Sequence, residues 1–145
     1  MFKHLLLPID GTALSESAFR KAIALAREMN ARVTALRVIP DYHHLTMETE
    51  TLAGAREQYA REARQSVERY LTAIAQDAAV AGVTCETAYE ISDHPYEEII
   101  KAATYRECDL IVMASHGRRG IQGILIGSET QKVLTHSKIP VLVYR

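Results

Sequence analysis

Four of the chain's seven glycines fall in the 15 residues from Ala114 to Ser128, together with His116, Arg118 and Arg119. Glycine lets a backbone approach a ligand closely and adopt positive φ, so consecutive N–H groups can form a nest for an anion. Arg118 and Arg119 supply the full charges that phosphate recognition uses, and a helix opening at Ser128 adds the partial positive charge of its N-terminus. The same composition also describes a crossover with solvated arginines, and Ser128 with Gln131 reads equally as a capping box that needs no ligand. The segment holds neither Gly-Lys-Ser/Thr nor Gly-x-Gly-x-x-Gly, which removes the Walker-type and dinucleotide-fingerprint readings.

The strongest acidic candidate is Asp10, placed directly after the first apolar run and before Gly11. A carboxylate there can hold ribose hydroxyls or a water on Mg²⁺, or it can close an Asx-turn. His116 adjoins Ser115, but neighbouring side chains seldom aim at each other and no third partner is evident, so a phosphate hydrogen bond is expected rather than a hydrolytic pair. His43 and His44 lie among Asp41, Tyr42 and Glu48 without a recognised metal-ligand spacing and read as a solvated loop. His4, His94 and His136 are scattered; the last, with Lys132 and Lys138, complements the carboxyl end of the final helix. Cys85 and Cys108 stand outside any Cys-x-x-Cys pattern and read as reduced structural thiols, which points to a reducing cytoplasm.

The elements that must position these groups follow from periodicity. Leu5 to Ile9, Val33 to Ile39, Leu110 to Ala114 and Val141 to Tyr144 are short apolar runs closed by turn residues, the pattern of strands covered on both faces. Val83 to Ile91 alternates instead, which predicts an edge strand. Between them lie amphipathic helices. The first is expected to be N-capped by Ser15, with Phe19, Ile23, Ala26 and Met29 buried and Asn30 closing it in the left-handed region. A long second helix from about Thr49 to Ala81 carries the stripe Leu52, Ala55, Tyr59, Ala63, Val67, Tyr70, Ile74 and Ala78 and ends at Gly82. Its Arg and Glu residues read as a solvated, ion-paired face. A short third helix opens at Pro95, and a fourth at Ser128. Alternation of strand and helix predicts an α/β fold: one open, five-stranded parallel sheet, Rossmann-like, with helices on both faces; the expected strand order is 3-2-1-4-5. In such sheets ligands sit beyond the carboxyl ends of the strands, where strand order reverses.

With 48% apolar and 24% charged residues, the 145-residue chain is of the globular class, and residues 1–145 are expected to form one domain. A net charge of −1, from 17 Lys and Arg against 18 Asp and Glu, gives no global pull toward nucleic acid or an anionic membrane. The run Leu5-Leu6-Leu7 is stopped by Pro8 and Asp10, so no export or membrane-spanning segment is expected.

Gly117, nine further residues and then Gly127-Ser128 resemble the ATP-binding signature of the universal stress protein family, G-x2-G-x9-G-S/T. The resemblance covers essentially the whole chain, including Pro8-Ile9-Asp10, Leu36-Arg37-Val38-Ile39, the Ser-His-Gly-Arg loop and Ser137-Lys138-Ile139-Pro140-Val141. It implies a small cytoplasmic stress-response protein that binds ATP with Mg²⁺ and acts as a sensor or switch, with at most very slow hydrolysis. It also implies a homodimer formed through the last strand, and a protein partner that the sequence does not name. Residue by residue, it implies a nucleotide site of Pro8, Ile9, Asp10, Val38, Met113, Ala114, His116, Gly117, Arg118, Gly127, Ser128, Glu129 and Thr130. The adenine is expected near Ile9 and Val38, the ribose and any Mg²⁺ near Asp10, and the triphosphate among Gly117, Gly127, Ser128 and Thr130, with His116 alongside. Ala114 departs from the signature, whose first position is glycine, and adds a Cβ where the strand meets the phosphate loop. A nucleotide-free dimeric interaction module of the same fold is therefore the alternative. A phosphorylatable receiver domain fails because Lys138-Ile139-Pro140 precedes the last strand and no acceptor Asp cleanly follows the third.

Overall fold

The structure is a computed structural model that describes residues 1–41, 53–116 and 126–145. The apolar runs form β1 (His4–Ile9), β2 (Arg32–Ile39), β4 (Leu110–Ala114) and β5 (Val141–Tyr144), and the alternating run forms β3 (Cys85–Ile91). Between them lie α1 (Ala13–Met29), α2 (Ala53–Val80), α3 (Pro95–Tyr105) and α4 (Ser128–His136). All the strand pairs are parallel, as the alternation predicts, and the sheet order is the expected β3-β2-β1-β4-β5.

Side-chain alternation along the strands divides the core in two. Leu5, Leu7, Val33 and Ala35 pack with Phe19 and Ile23 of α1 and Leu71 and Ile74 of α2. Leu6, Leu36, Ile111 and Met113 pack on the opposite face with Ile99 and Ala103 of α3 and Val133 of α4. Leu5, Leu6 and Leu7 are fully buried, and burying a leucine side chain contributes roughly 1.5–3 kcal/mol. The central strand thus supplies apolar surface to both layers.

Helix ends set the strand entrances. Asn30 closes α1 at φ 52°, and Gly82 follows α2 at φ 78°, a left-handed conformation in which glycine has no Cβ to clash. Pro95 is the first residue of α3, where its missing N–H leaves no helical bond unmade.

Two expectations are corrected. The α1 cap is Thr12, not Ser15: Thr12 has extended backbone, and its hydroxyl accepts the Ser15 N–H at 3.2 Å. Gly11, at φ 79°, turns the chain immediately after β1, so the helix begins earlier than the Ser-Glu pair suggests. The α2 stripe is buried only in its second half, at Ile74 and Ala78 with Val67 and Tyr70 packed beside them, whereas Tyr59 is 51% exposed; Leu71, which the stripe leaves out, is buried as well. Leu52 lies outside the described residues. A helix of 28 residues is about 42 Å long, whereas an eight-residue strand spans about 26 Å, so the helix outruns the sheet it covers. At the β3 edge Cys85 and Tyr89 join the core as the alternation predicts, but Thr87 between them is exposed, Ala88 packs on the opposite face and Ile91 is 49% exposed where the strand ends.

Candidate functional site

Strand order reverses between β1 and β4, and their carboxyl ends form the centre of the candidate site. β1 pairs with β2 along its whole length to Ile9, but its register with β4 covers only Leu5 and Leu6. Pro8, which has no N–H, follows where that ladder stops. The two strands are therefore not hydrogen-bonded to each other at the end where a ligand would sit.

On the β1 side the backbone holds Asp10 from several directions. Its N–H donates to Ser15 Oγ at 3.1 Å, while its Oδ1 accepts from Thr12 N–H at 2.9 Å and from the Thr12 hydroxyl at 2.7 Å. This is the Asx-turn, and it orients the carboxylate while using one oxygen. Among the described residues nothing pairs with Oδ2. Ile9 is buried, and Pro8 and Val38 are half-buried at the ends of adjacent strands.

On the β4 side, Met113 and Ala114 are buried and the chain beyond them is tied back to the sheet. Ser115 N–H donates to Tyr144 O at 2.7 Å, Gly127 N–H donates to Ser115 O at 2.6 Å, and the Thr130 hydroxyl donates to Ala114 O at 3.0 Å. The chain thus leaves and re-enters the sheet end at one point, with the α4 N-terminus against the end of β4. Gly117 and Arg118, expected around the phosphates, lie outside the described residues, as does Arg119.

The capping-box reading of Ser128 is corrected, since Gly127 is the cap and Ser128 the first helical residue. Glycine brings no side chain to this cap, so among the described residues no cap side chain accepts from the amides of the first turn of α4, in contrast to α1 under Thr12. Ser128 is exposed at that turn. Thr130 is buried to 3% and spends its hydroxyl on the frame. Glu129 joins α3 to α4: its Oε2 accepts Tyr96 N–H at 2.9 Å, and its Oε1 pairs with Lys132 at 2.9 Å. Lys132 therefore serves Glu129 rather than the carboxyl end of the helix.

The expectation that Ser115 and His116 do not meet is also overturned, because Ser115 Oγ lies 3.0 Å from His116 Nδ1. The pair sits just past the strand, in a bend, where successive side chains no longer alternate between faces. A hydroxyl on Nδ1 orients the ring and leaves Nε2 as its other polar atom.

Two side chains near Asp10 escaped the sequence reading. Arg37 is buried on β2, and its Nη1 makes a long contact of 3.5 Å with Ile9 O; a cation inside an apolar strand run was the signal. Tyr70 of α2 reads as one more core aromatic, yet its hydroxyl is buried. Burial first, and then the Glu16 carboxylate, push its phenol above the ordinary value; Asp10 acts in the same direction, while Arg37 and the backbone N–H of Gly11 oppose.

Elsewhere the titratable groups are structural. His4 is buried, with Nε2 2.8 Å from Thr34 Oγ1. His136 stacks beside Tyr96 at 5.5 Å between ring centroids. Cys85 and Cys108 are free thiols, each pushed up to about 11 by burial. They flank strands three sheet positions apart, roughly 14 Å at ordinary strand spacing, too far for a disulfide. No group of three or more His, Cys, Asp or Glu suited to a metal occurs among the described residues. His43 and His44 lie outside them. No described helix is long and apolar enough to cross a membrane.

Comparison with known proteins supplies the remaining context. The model of the Universal stress protein family matches residues 1–145. Universal stress protein YxiE of Bacillus subtilis is 32% identical, with 100% of each chain covered. A universal stress protein of Thermus aquaticus is 33% identical over the same full coverage. Among solved structures, the hypothetical protein MJ0577 superposes with a TM-score of 0.83 at 26% identity, covering 99% of this chain and 95% of that one. A universal stress protein in complex with cAMP gives a TM-score of 0.67 at 22% identity, covering 99% and 97%. One from Archaeoglobus fulgidus in complex with dAMP gives 0.65 at 16%, covering 100% and 98%.

Proposed function

This chain belongs to the universal stress protein family, and we propose that it binds an adenine nucleotide, ATP with Mg²⁺, between the carboxyl ends of β1 and β4. The observation that carries this reading is the α4 N-terminus, left without a side-chain cap and tied against β4 beside the oriented carboxylate of Asp10. An uncapped helix start presents several N–H donors and partial positive charge, which suits phosphate, whereas a carboxylate with one oxygen unused suits ribose hydroxyls or a water on Mg²⁺. The two ends of a nucleotide thus meet complementary chemistry. The relatives in complex with cAMP and dAMP support an adenine nucleotide as the ligand class.

Ala114 does not argue against this. By strand alternation its Cβ shares the face of Val112, toward α1, and is buried, whereas α4 lies on the Met113 face. The added methyl is thus directed away from the α4 amides. When bound, Mg²⁺ would offset phosphate charge, and the chain's own residues bind and orient. Asp10 takes the sugar and metal-water side, the first turn of α4 takes phosphate, and His116, oriented by Ser115, lies alongside. Nucleotide binding then stabilises one state of a small cytoplasmic sensor or switch, with turnover below about 1 s⁻¹, the low end of ordinary enzymes.

Calorimetric titration of apo protein with Mg-ATP, paired with melting, tests the reading. Micromolar saturable binding lost on Gly127→Val is expected, and ligand at 1,000 times Kd should add about 4.1 kcal/mol. No heat and no shift would favour a nucleotide-free interaction module, and a gain of affinity in Ala114→Gly would show that the methyl obstructs the site. One observation favours a self-association role in either case. β5 is an edge strand with Leu142 36% exposed, so pairing with a second copy would cover it. A monomeric mass by light scattering at micromolar concentration would refute the homodimer.

A further inference from the structure

We propose that Lys132 sets the affinity of the phosphate site without touching the ligand, by balancing the charge of Glu129 in the first turn of α4; this rests on the nucleotide reading above. Glu129 is the second residue of α4, one position after Ser128. A carboxylate in a first turn is attracted to the amides of its own helix start. Here both of its oxygens are drawn off that end. Oε2 accepts the Tyr96 N–H at 2.9 Å, and Oε1 lies 2.9 Å from Lys132 Nζ. The Tyr96 amide belongs to the first turn of α3, whose own N-cap residue, His94, makes no side-chain cap bond. Glu129 thus caps the neighbouring helix and leaves the start of its own helix to an external acceptor.

Lys132 follows Glu129 at i+3 on the same face of α4, and its ammonium also stands 5.4 Å from the centroid of the Tyr96 ring. His136, one turn further along this face, packs beside the same ring at 5.5 Å. Tyr96 therefore holds Glu129, Lys132 and His136 against α3 and fixes the geometry of the ion pair. Seen from the first-turn amides, the pair is close to neutral. Without the ammonium, a full negative charge remains one residue from Ser128 and opposes phosphate; without the carboxylate, the ammonium is left to attract it. The two side chains are 48% and 35% exposed, where an ion pair adds little to stability, so the balance acts on the ligand more than on the fold.

The test is titration of Lys132→Gln, Glu129→Gln and the double variant with ATP and AMP in the presence of Mg²⁺, at low and at high salt. Glu129→Gln keeps a carbonyl oxygen for the Tyr96 N–H while removing the charge. At low salt Lys132→Gln is expected to lose about 2- to 5-fold in affinity for ATP, and less for AMP, which carries fewer charges, whereas Glu129→Gln gains by a similar factor. The double variant should recover the loss of Lys132→Gln. At about 1 M salt, where the screening length falls to about 3 Å, the affinities should converge. Wild-type ATP affinity in Lys132→Gln at low salt would overturn this proposal alone. So would a double variant as weak as Lys132→Gln, which would mark a direct contact of Lys132 with the ligand, or a loss unchanged by salt, which would mark a packing effect. A wild-type chain that binds neither nucleotide would instead remove the nucleotide reading and this proposal with it.

Discussion

Acid should destabilise this protein through His4, far from the nucleotide crevice. His4 stands at the first position of β1, buried, with Nε2 bonded to Thr34 Oγ1 at 2.8 Å. Burial first, and then the Arg32 guanidinium, hold its imidazole below the ordinary value of 6.5; the Arg106 carbonyl and the Glu86 and Asp109 carboxylates oppose without reversing this. In the unfolded chain His4 takes a proton near 6.5, whereas in the folded chain it does so only at lower pH. Between those values the unfolded state carries more protons, so stability rises with pH there. The full contribution is present above 6.5, declines as pH falls below it, and stops declining below the folded value. One proton can supply a slope of no more than about 1.4 kcal/mol per pH unit.

The control replaces both members of the pair. His4→Leu alone strands the Thr34 hydroxyl, which is fully buried, and should lose about 1–3 kcal/mol even at pH 8. Adding Thr34→Val removes the orphan and should recover most of that loss. Urea unfolding at pH 8, 7, 6 and 5 compares the wild type with the double variant, and the five other histidines are common to both. The wild-type curve should fall away from that of the variant below about pH 6.5. Parallel curves would refute the argument that a buried neutral His4 couples folding to protons.

Other outcomes follow from single contacts. Glu107, exposed at φ 55° after α3, pays the left-handed penalty of a side-chain-bearing residue, so Glu107→Gly should stabilise by about 0.5–1 kcal/mol in thermal melts, and a lower Tm would contradict this. Thr12→Ala removes both the α1 cap and the hydroxyl on Asp10 Oδ1; it should lose about 1 kcal/mol in urea and weaken Mg-ATP binding in calorimetry, and unchanged values in both assays would count against the Asx-turn as the device that orients Asp10. Cys108, buried and pushed up to about 11, should react with a thiol reagent at pH 8 only as fast as the chain unfolds when Cys85 is replaced by Ser, whereas rapid labelling of that folded variant would refute its burial.

Strand identity and parallel pairing were legible in the sequence because they depend on local patterns: uniform apolar runs for β1, β2 and β4, alternation for β3, and helices between them that force a parallel sheet. The αL closure at Asn30, the stop at Gly82 and the start at Pro95 were equally local, being properties of single backbones. Asp10 was found for the same reason, since position after a strand is a one-dimensional fact. Contacts between distant segments were not legible. The Thr130 bond to Ala114 O, the Glu129 bond to Tyr96 N–H, and the placing of Tyr70 beside the end of β1 join residues 16, 33 and about 60 positions apart. A helical stripe marks Tyr70 as inward-facing, but the environment of its hydroxyl depends on how α2 lies across the sheet. Even the α1 cap was decided by Gly11, whose left-handed turn makes Thr12 rather than Ser15 the first residue outside the helix. Periodicity reports which side of an element is buried; hydrogen-bond partners are fixed only when the packed layers bring remote donors and acceptors within about 3 Å.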